Sequence, residues 1–213
     1  DNKYVDAQLL LAGLYASTRL INEALNTYNN VLKIDPQNTE AYIFKGSLLL
    51  EEGRSKEAVD TLQKLSSLDP DSHIAYYYLG KSFQRLQNHE RAIHYFKKAL
   101  DLKPQFTQAG LTLGLIYEEK KKVKEALKTY EQLYENSGDI QAVARLAQLN
   151  IDLEKYDDAL KYLLVIHEND AENLNVSVKI GLIYVQKHDF DRAAKVFEEI
   201  LVHTKEAEKV RFY

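Results

Sequence analysis

A chain of 213 residues with 45% hydrophobic and 28% charged residues has the make-up of an ordinary globular protein. Its net charge of −4 argues against a nucleic-acid partner, which calls for a basic surface. With no cysteine it holds neither disulfides nor thiolate sites, and no run approaches the roughly 18 apolar residues of a membrane span. No apolar leader-like stretch opens the chain, and methionine is absent altogether, so a processed chain or a fragment is expected. A cysteine-free chain tolerates either redox environment, which leaves the compartment open. A soluble, cytoplasmic protein is the working expectation.

Periodicity organises the sequence. Pro36, Pro70 and Pro104 are its only prolines, they recur every 34 residues, and each closes a similar phrase: KIDP, SLDP, DLKP. A fixed period of this size marks a stack of supersecondary units, none able to bury its apolar face alone. The units start at Val5, Thr39, His73, Thr107, Ile140 and Leu174, giving repeats over 5–38, 39–72, 73–106, 107–139, 140–173 and 174–207. One residue is deleted between the fourth and the fifth.

The third unit shows the pattern most plainly. Tyr76, Leu79, Gly80 and Phe83 fall at i, i+3, i+4 and i+7, the one-sided stripe of an amphipathic helix A. Gln87-Asn88-His89 breaks the stripe and offers an N-cap. Ala92, Ile93, Phe96, Ala99 and Leu100 then define helix B, which stops at Lys103-Pro104 because proline disfavours helical geometry in the residue before it.

Along the chain, helix B keeps an alanine in phase: Ala24, Ala58, Ala92, Ala126, Ala159 and Ala193. Helix A keeps a small residue: Ala12, Gly46, Gly80, Gly114, Ala147 and Gly181. Small residues facing one another are expected to bring each pair of helices close. Six in phase rule out a generic bundle with accidental alanines. One period beyond Leu174 is Glu208, so 208–213, with Arg211-Phe212-Tyr213, reads as the start of a seventh helix A. The expectation is a longer native protein, with Val196, Phe197, Ile200 and Leu201 leaving apolar surface for self-association at the C-terminal end.

A small residue in helix A, an aromatic three later, an alanine nine beyond, an aromatic four after that and a closing proline together resemble the tetratricopeptide repeat. The resemblance covers essentially the whole chain. Departures are the helix A tryptophan, replaced by Tyr42 or Tyr76 at best, Asn150 where an aromatic is expected, and Gly138, Ala171 and Lys205 in place of closing prolines. The resemblance implies an all-α, right-handed superhelical solenoid in one domain, with helices A lining a concave groove. It also implies a protein-interaction module and not an enzyme.

No catalytic, cofactor or metal motif stands against that reading. There is no phosphate loop, no nucleophile elbow and no HExxH. His89 and His94 are five apart, off a common helical face. Lys120-Lys121-Lys122 and Lys124 read as a solvated turn. In the family, positions two, five, nine and twelve of helix A face the groove. Position five reads Leu9, Ile43, Tyr77, Leu111, Ala144 and Val178; position nine reads Gly13, Ser47, Lys81, Leu115, Gln148 and Leu182. A solvent-facing stripe should be polar, so Leu9, Ile43, Tyr77, Lys81, Leu111, Leu115, Val178 and Leu182 are the candidate partner-binding residues. Tyr77 is the expected anchor, pointing into the groove. Asp6, Glu40 and Glu118 form an acidic rim that fits a partner segment with basic flanks. The carboxylate clamp of chaperone-binding relatives is absent, because position five is never basic.

Three functions follow: a scaffold for an apolar partner segment, a self-associating piece of a longer solenoid, or the regulatory arm of a larger enzyme. No nucleic acid, no membrane insertion and no cofactor enter any of them.

Overall fold

The computed structural model describes residues 2–211 in backbone and 3–202 in side chains. Among the described residues there are twelve helices and no strand: α1 (Asn2–Ser17), α2 (Ile21–Ile34), α3 (Thr39–Glu51), α4 (Ser55–Leu68), α5 (His73–Arg85), α6 (His89–Leu102), α7 (Thr107–Glu119), α8 (Val123–Ser137), α9 (Ile140–Asp152), α10 (Tyr156–Asn169), α11 (Leu174–Gln186) and α12 (Phe190–Arg211). Odd helices are helix A and even helices helix B. The chain is all-α and built of helix pairs. Helix A begins at the predicted unit start in the second to sixth repeats; α1 starts three residues early. The expected seventh unit, from Glu208, falls inside α12. Its side chains, with Phe212 and Tyr213, lie outside the described residues.

Helix starts follow local chemistry. Asn38, Ser72, Asp139 and Asn173 each accept a hydrogen bond from the backbone N–H three residues on, satisfying a donor that has no partner in the helix. Asn88 does the same for α6. Between helix A and helix B the chain turns through one left-handed residue: Arg19, Gly53, Gln87, Lys121, Glu154 or His188, with φ between 56° and 76°. The next residue donates back across the turn, as in Asn88 N to Phe83 O at 2.9 Å, which makes a Schellman cap in every repeat. At the fourth-to-fifth junction α8 ends on Gly138, left-handed at φ 67°, so the missing residue is absorbed by a tighter turn.

The chain divides into two compact units, Asp1–Ile116 and Tyr117–Tyr213. In the first, helices A and B of each repeat pack pairwise, and α4 packs on α5. The repeat alanines Ala24, Ala58 and Ala92 are fully buried, beside Leu62, Leu65 and Phe96. In the second, Ala126, Ala159, Tyr130 and Leu163 hold the same places, and buried Asn150 donates to the Leu146 carbonyl of its own helix at 2.8 Å.

The close contact differs in one respect from two small residues face to face. A Cβ on Gly80 would lie 2.8 Å from the Phe96 ring, and one on Gly181 would lie 2.7 Å from Phe197. Gly46 faces Leu62 in the same way, at 2.6 Å. Each glycine is thus the hole for a large helix B side chain, four residues after the alanine. That is knob-into-hole packing.

Candidate functional site

The candidate residues fall in both units. In the first, Leu9 is buried at 9% exposure, while Ile43, Tyr77, Lys81, Leu111 and Leu115 are half-buried. In the second, Val178 and Leu182 stand one turn apart on α11 and are exposed. Position five therefore has no uniform role.

Tyr77 corrects the expectation of a side chain free in a groove. Its ring centroid lies 5.9 Å from Phe96 of helix B, 5.1 Å from Phe106 and 5.3 Å from Tyr78. Burial, then the neighbouring Tyr78, pushes its hydroxyl above the usual tyrosine range. The physical reason is Phe106, which stands in the turn between repeats and folds over the tyrosine. Tyr77 belongs as much to the core as to the surface.

Glu118 also differs from its expected place on an open rim. It accepts a hydrogen bond of 2.5 Å from the Tyr130 hydroxyl and lies 3.9 Å from Arg145. Burial and this carboxylate together raise the tyrosine's pKa strongly. Asp6 and Glu40, in contrast, are exposed.

Two residues escaped the reading of positions five and nine. Leu10 and Phe44, both at position six, are 77% and 41% exposed. Phe44 leans on Tyr28, with centroids 6.3 Å apart, and Glu40 sits close enough to raise the Tyr28 pKa, after burial. The signal was present in the sequence, as apolar residues beside a row already taken to face outward.

Among the described residues, no group of three or more His, Cys, Asp or Glu is placed to hold a metal ion. No helix among them is long and apolar enough to cross a membrane. His73 is half-buried edge-on against Phe106, at 5.0 Å, which lowers its pKa through burial. The lysine-rich turn 120–122 is exposed, as expected.

Comparisons with known proteins bear on the fold. Tetratricopeptide-repeat family models match residues 20–80, 73–106 and 108–139, together more than half of the chain. The TPR repeat-containing protein MJ1428 of Methanocaldococcus jannaschii is 36% identical over 88 residues, which is 41% of this chain and 14% of that protein. Among solved structures, a MamA protein aligns over 98% of this chain and 96% of its own, with TM-score 0.57 and 22% identity. YrrB, described as a TPR protein with an unusual peptide-binding site, aligns over 79% of this chain and 88% of its own, with TM-score 0.58 and 22% identity. Repeats of this kind support a protein–protein interaction scaffold in general terms, and are typically non-catalytic. From the phased helix pairs and these matches, the chain belongs to the tetratricopeptide-repeat family.

Proposed function

We propose that this protein is an interaction scaffold that holds an apolar partner segment against the helix A faces of its first two repeats. The observation that carries the reading is the exposed pair Leu10 and Phe44, one repeat apart, with half-buried Ile43 alongside. Exposed apolar residues gathered on one face of a stack mark a docking surface. Asp6 lies one turn before Leu10 and Glu40 one turn before Phe44, so each apolar residue has a carboxylate four residues away on the same helical face. That repeated pairing favours a partner segment with apolar anchors and basic flanks, bound as an extended peptide or as a helix. A peptide-binding site in YrrB, which shares the fold, is in keeping with this. Val178 and Leu182 offer a second apolar pair on α11. The scaffold carries out no chemistry itself.

The test is a peptide selected against the chain from a random display library, followed by hydrogen exchange of the complex. Protection gathered on α1 and α3 around Leu10 and Phe44 is the expected result. Protection confined to other helices contradicts the reading.

Self-association is a second reading, favoured by α1. Leu11 and Leu14 are 41% and 58% exposed, whereas Leu79 and Leu48, their counterparts in later repeats, are 1% and 5% exposed. Sedimentation velocity with Leu14→Lys tests it. A concentration-dependent dimer lost in the variant supports this reading, and a monomer at all concentrations removes it.

A further inference from the structure

The strongest unassigned feature lies on a neighbouring face of α3. Position seven of helix A is Leu11, Lys45, Leu79, Leu113, Leu146 and Ile180, so one repeat carries a lysine where five carry an aliphatic residue. In the third to sixth repeats that residue is at most 4% exposed. Lys45 is half-buried at the same place, and its ammonium makes no hydrogen bond or ion pair among the described residues. It stands one residue on from Phe44, roughly 100° around the helix, so its side chain leaves α3 in a different direction from the Leu10–Phe44 face.

Lys45 lines an open cleft of about 750 Å³ between α2, α3 and α4. Lys33, Lys64, Asp60 and Glu57 line it too, with Asn29 among the neutral residues. Glu57 is already committed, accepting from Arg54 Nε and Nη2 at 2.7 and 2.6 Å. Three lysines are left facing Asp60, in a chain whose net charge is −4. The cleft runs on into a second of about 680 Å³, which shares Tyr42, Asp60 and Lys64 and reaches Pro36 and Leu68.

We propose that this double cleft is a binding site for an acidic peptide segment, with Lys45 receiving a carboxylate and Tyr42 and Leu68 receiving an apolar side chain. Charge complementarity selects an anion. The combined size of the two clefts, which share Tyr42, Asp60 and Lys64, and the apolar Pro36 and Leu68 at the far end select a peptide over a single small ion. Burial, then the positive charge of Lys64, pulls the Lys45 pKa below the ordinary lysine value, with Glu57 opposing and Arg54 adding to the pull. An incoming carboxylate reverses that penalty, since an opposite charge favours the ammonium form. A lysine at a core position is a cost to folding that a ligand offsets.

The experiment uses fluorescence anisotropy of a labelled Glu-Glu-Asp-Leu-Glu-Glu peptide with the whole chain, and inorganic phosphate as competitor. Lys45→Leu supplies the side chain that other repeats carry, so it is expected to fold. The expected results are a loss of about tenfold or more in affinity for Lys45→Leu, with Lys45→Arg close to wild type. Lys122→Ala, in an exposed turn, should bind normally. Equal affinity in Lys45→Leu, equal loss in Lys122→Ala, or no binding by the wild type overturns the proposal. Displacement by phosphate at concentrations as low as those of the peptide itself overturns the peptide as occupant and leaves a small-anion site.

Discussion

Repeats two and three have the same register and the same helix pairing, and they differ in where their apolar residues go. In repeat three Leu79 fills position seven at 1% exposure, and Tyr77 folds onto Tyr78, Phe96 and Phe106. In repeat two Lys45 takes position seven and lines a cleft, while Phe44 stands 41% exposed on a neighbouring face of the same helix. The hole in helix A takes a rigid ring at Gly80 and a flexible leucine at Gly46. The difference teaches that the small residue and the phased alanine maintain the fold, so the other helix A positions are free to diverge. Repeat three is closed on itself. Repeat two presents two faces.

That contrast can be broken by substitution, beginning with the largest effect. Tyr76 is 3% exposed, with its ring stacked at 6.3 Å on Tyr95 and Lys98 Nζ 4.1 Å from its centroid. Tyr76→Ala should cost about 3 kcal/mol, read by urea denaturation. Gly80→Ala should cost about 1–3 kcal/mol, because the Phe96 ring is enclosed and cannot retreat. Gly46→Ala should cost less, since the Leu62 side chain can change rotamer; equal costs would remove this part of the contrast. Ala92→Leu belongs with Gly80→Ala, as overpacking at a fully buried site.

Tyr77→Ala comes next, at about 1–2 kcal/mol, because its ring contacts are only half-buried. A side chain pointing into a groove would change stability much less than partner binding, so thermal melts of Tyr77→Ala distinguish the core role from a purely surface one.

A pH comparison sharpens the same contrast. The folded-state pKa of Lys45 lies below the ordinary lysine value of 10.5. Between the lowered value and 10.5 the unfolded chain binds the proton that the folded chain has released, so stability rises with pH across that window. At neutral pH Lys45→Leu should therefore match or exceed wild type in stability, and its advantage should narrow as pH approaches 10.5. A constant difference would mean that Lys45 is not desolvated in the folded state. The smallest effect is at the turn: Gln87 adopts φ 58° where repeat two has Gly53 at φ 76°. Gln87→Gly should change stability by no more than about 1 kcal/mol, in the stabilising direction, because glycine enters the left-handed region without the Cβ penalty.

Much of this architecture was legible in the sequence. Prolines and alanines in phase set the repeat, and helix starts at Thr39, His73, Thr107, Ile140 and Leu174 followed from the period. The left-handed turn residue was not legible, because only Gly53 announces it and five other side chains accept the same backbone. Tyr77 was misplaced because a helical wheel knows its own helix only; the ring that covers it, Phe106, comes from the following turn. Leu10 and Phe44 were passed over because the candidates were drawn from positions five and nine and position six was left aside. Lys45 was visible as the odd residue of its column, but that the lysine faces a cleft depends on how α2, α3 and α4 diverge, which no single helix encodes.

The most direct test of the account is the affinity of the display-selected peptide for Phe44→Ala and Tyr78→Ala, measured by titration calorimetry beside a melting curve for each. The open face of repeat two predicts that Phe44→Ala binds about tenfold or more weakly with its melting temperature unchanged, while Tyr78→Ala binds normally. Normal binding by Phe44→Ala, with the loss appearing in Tyr78→Ala instead, would contradict it.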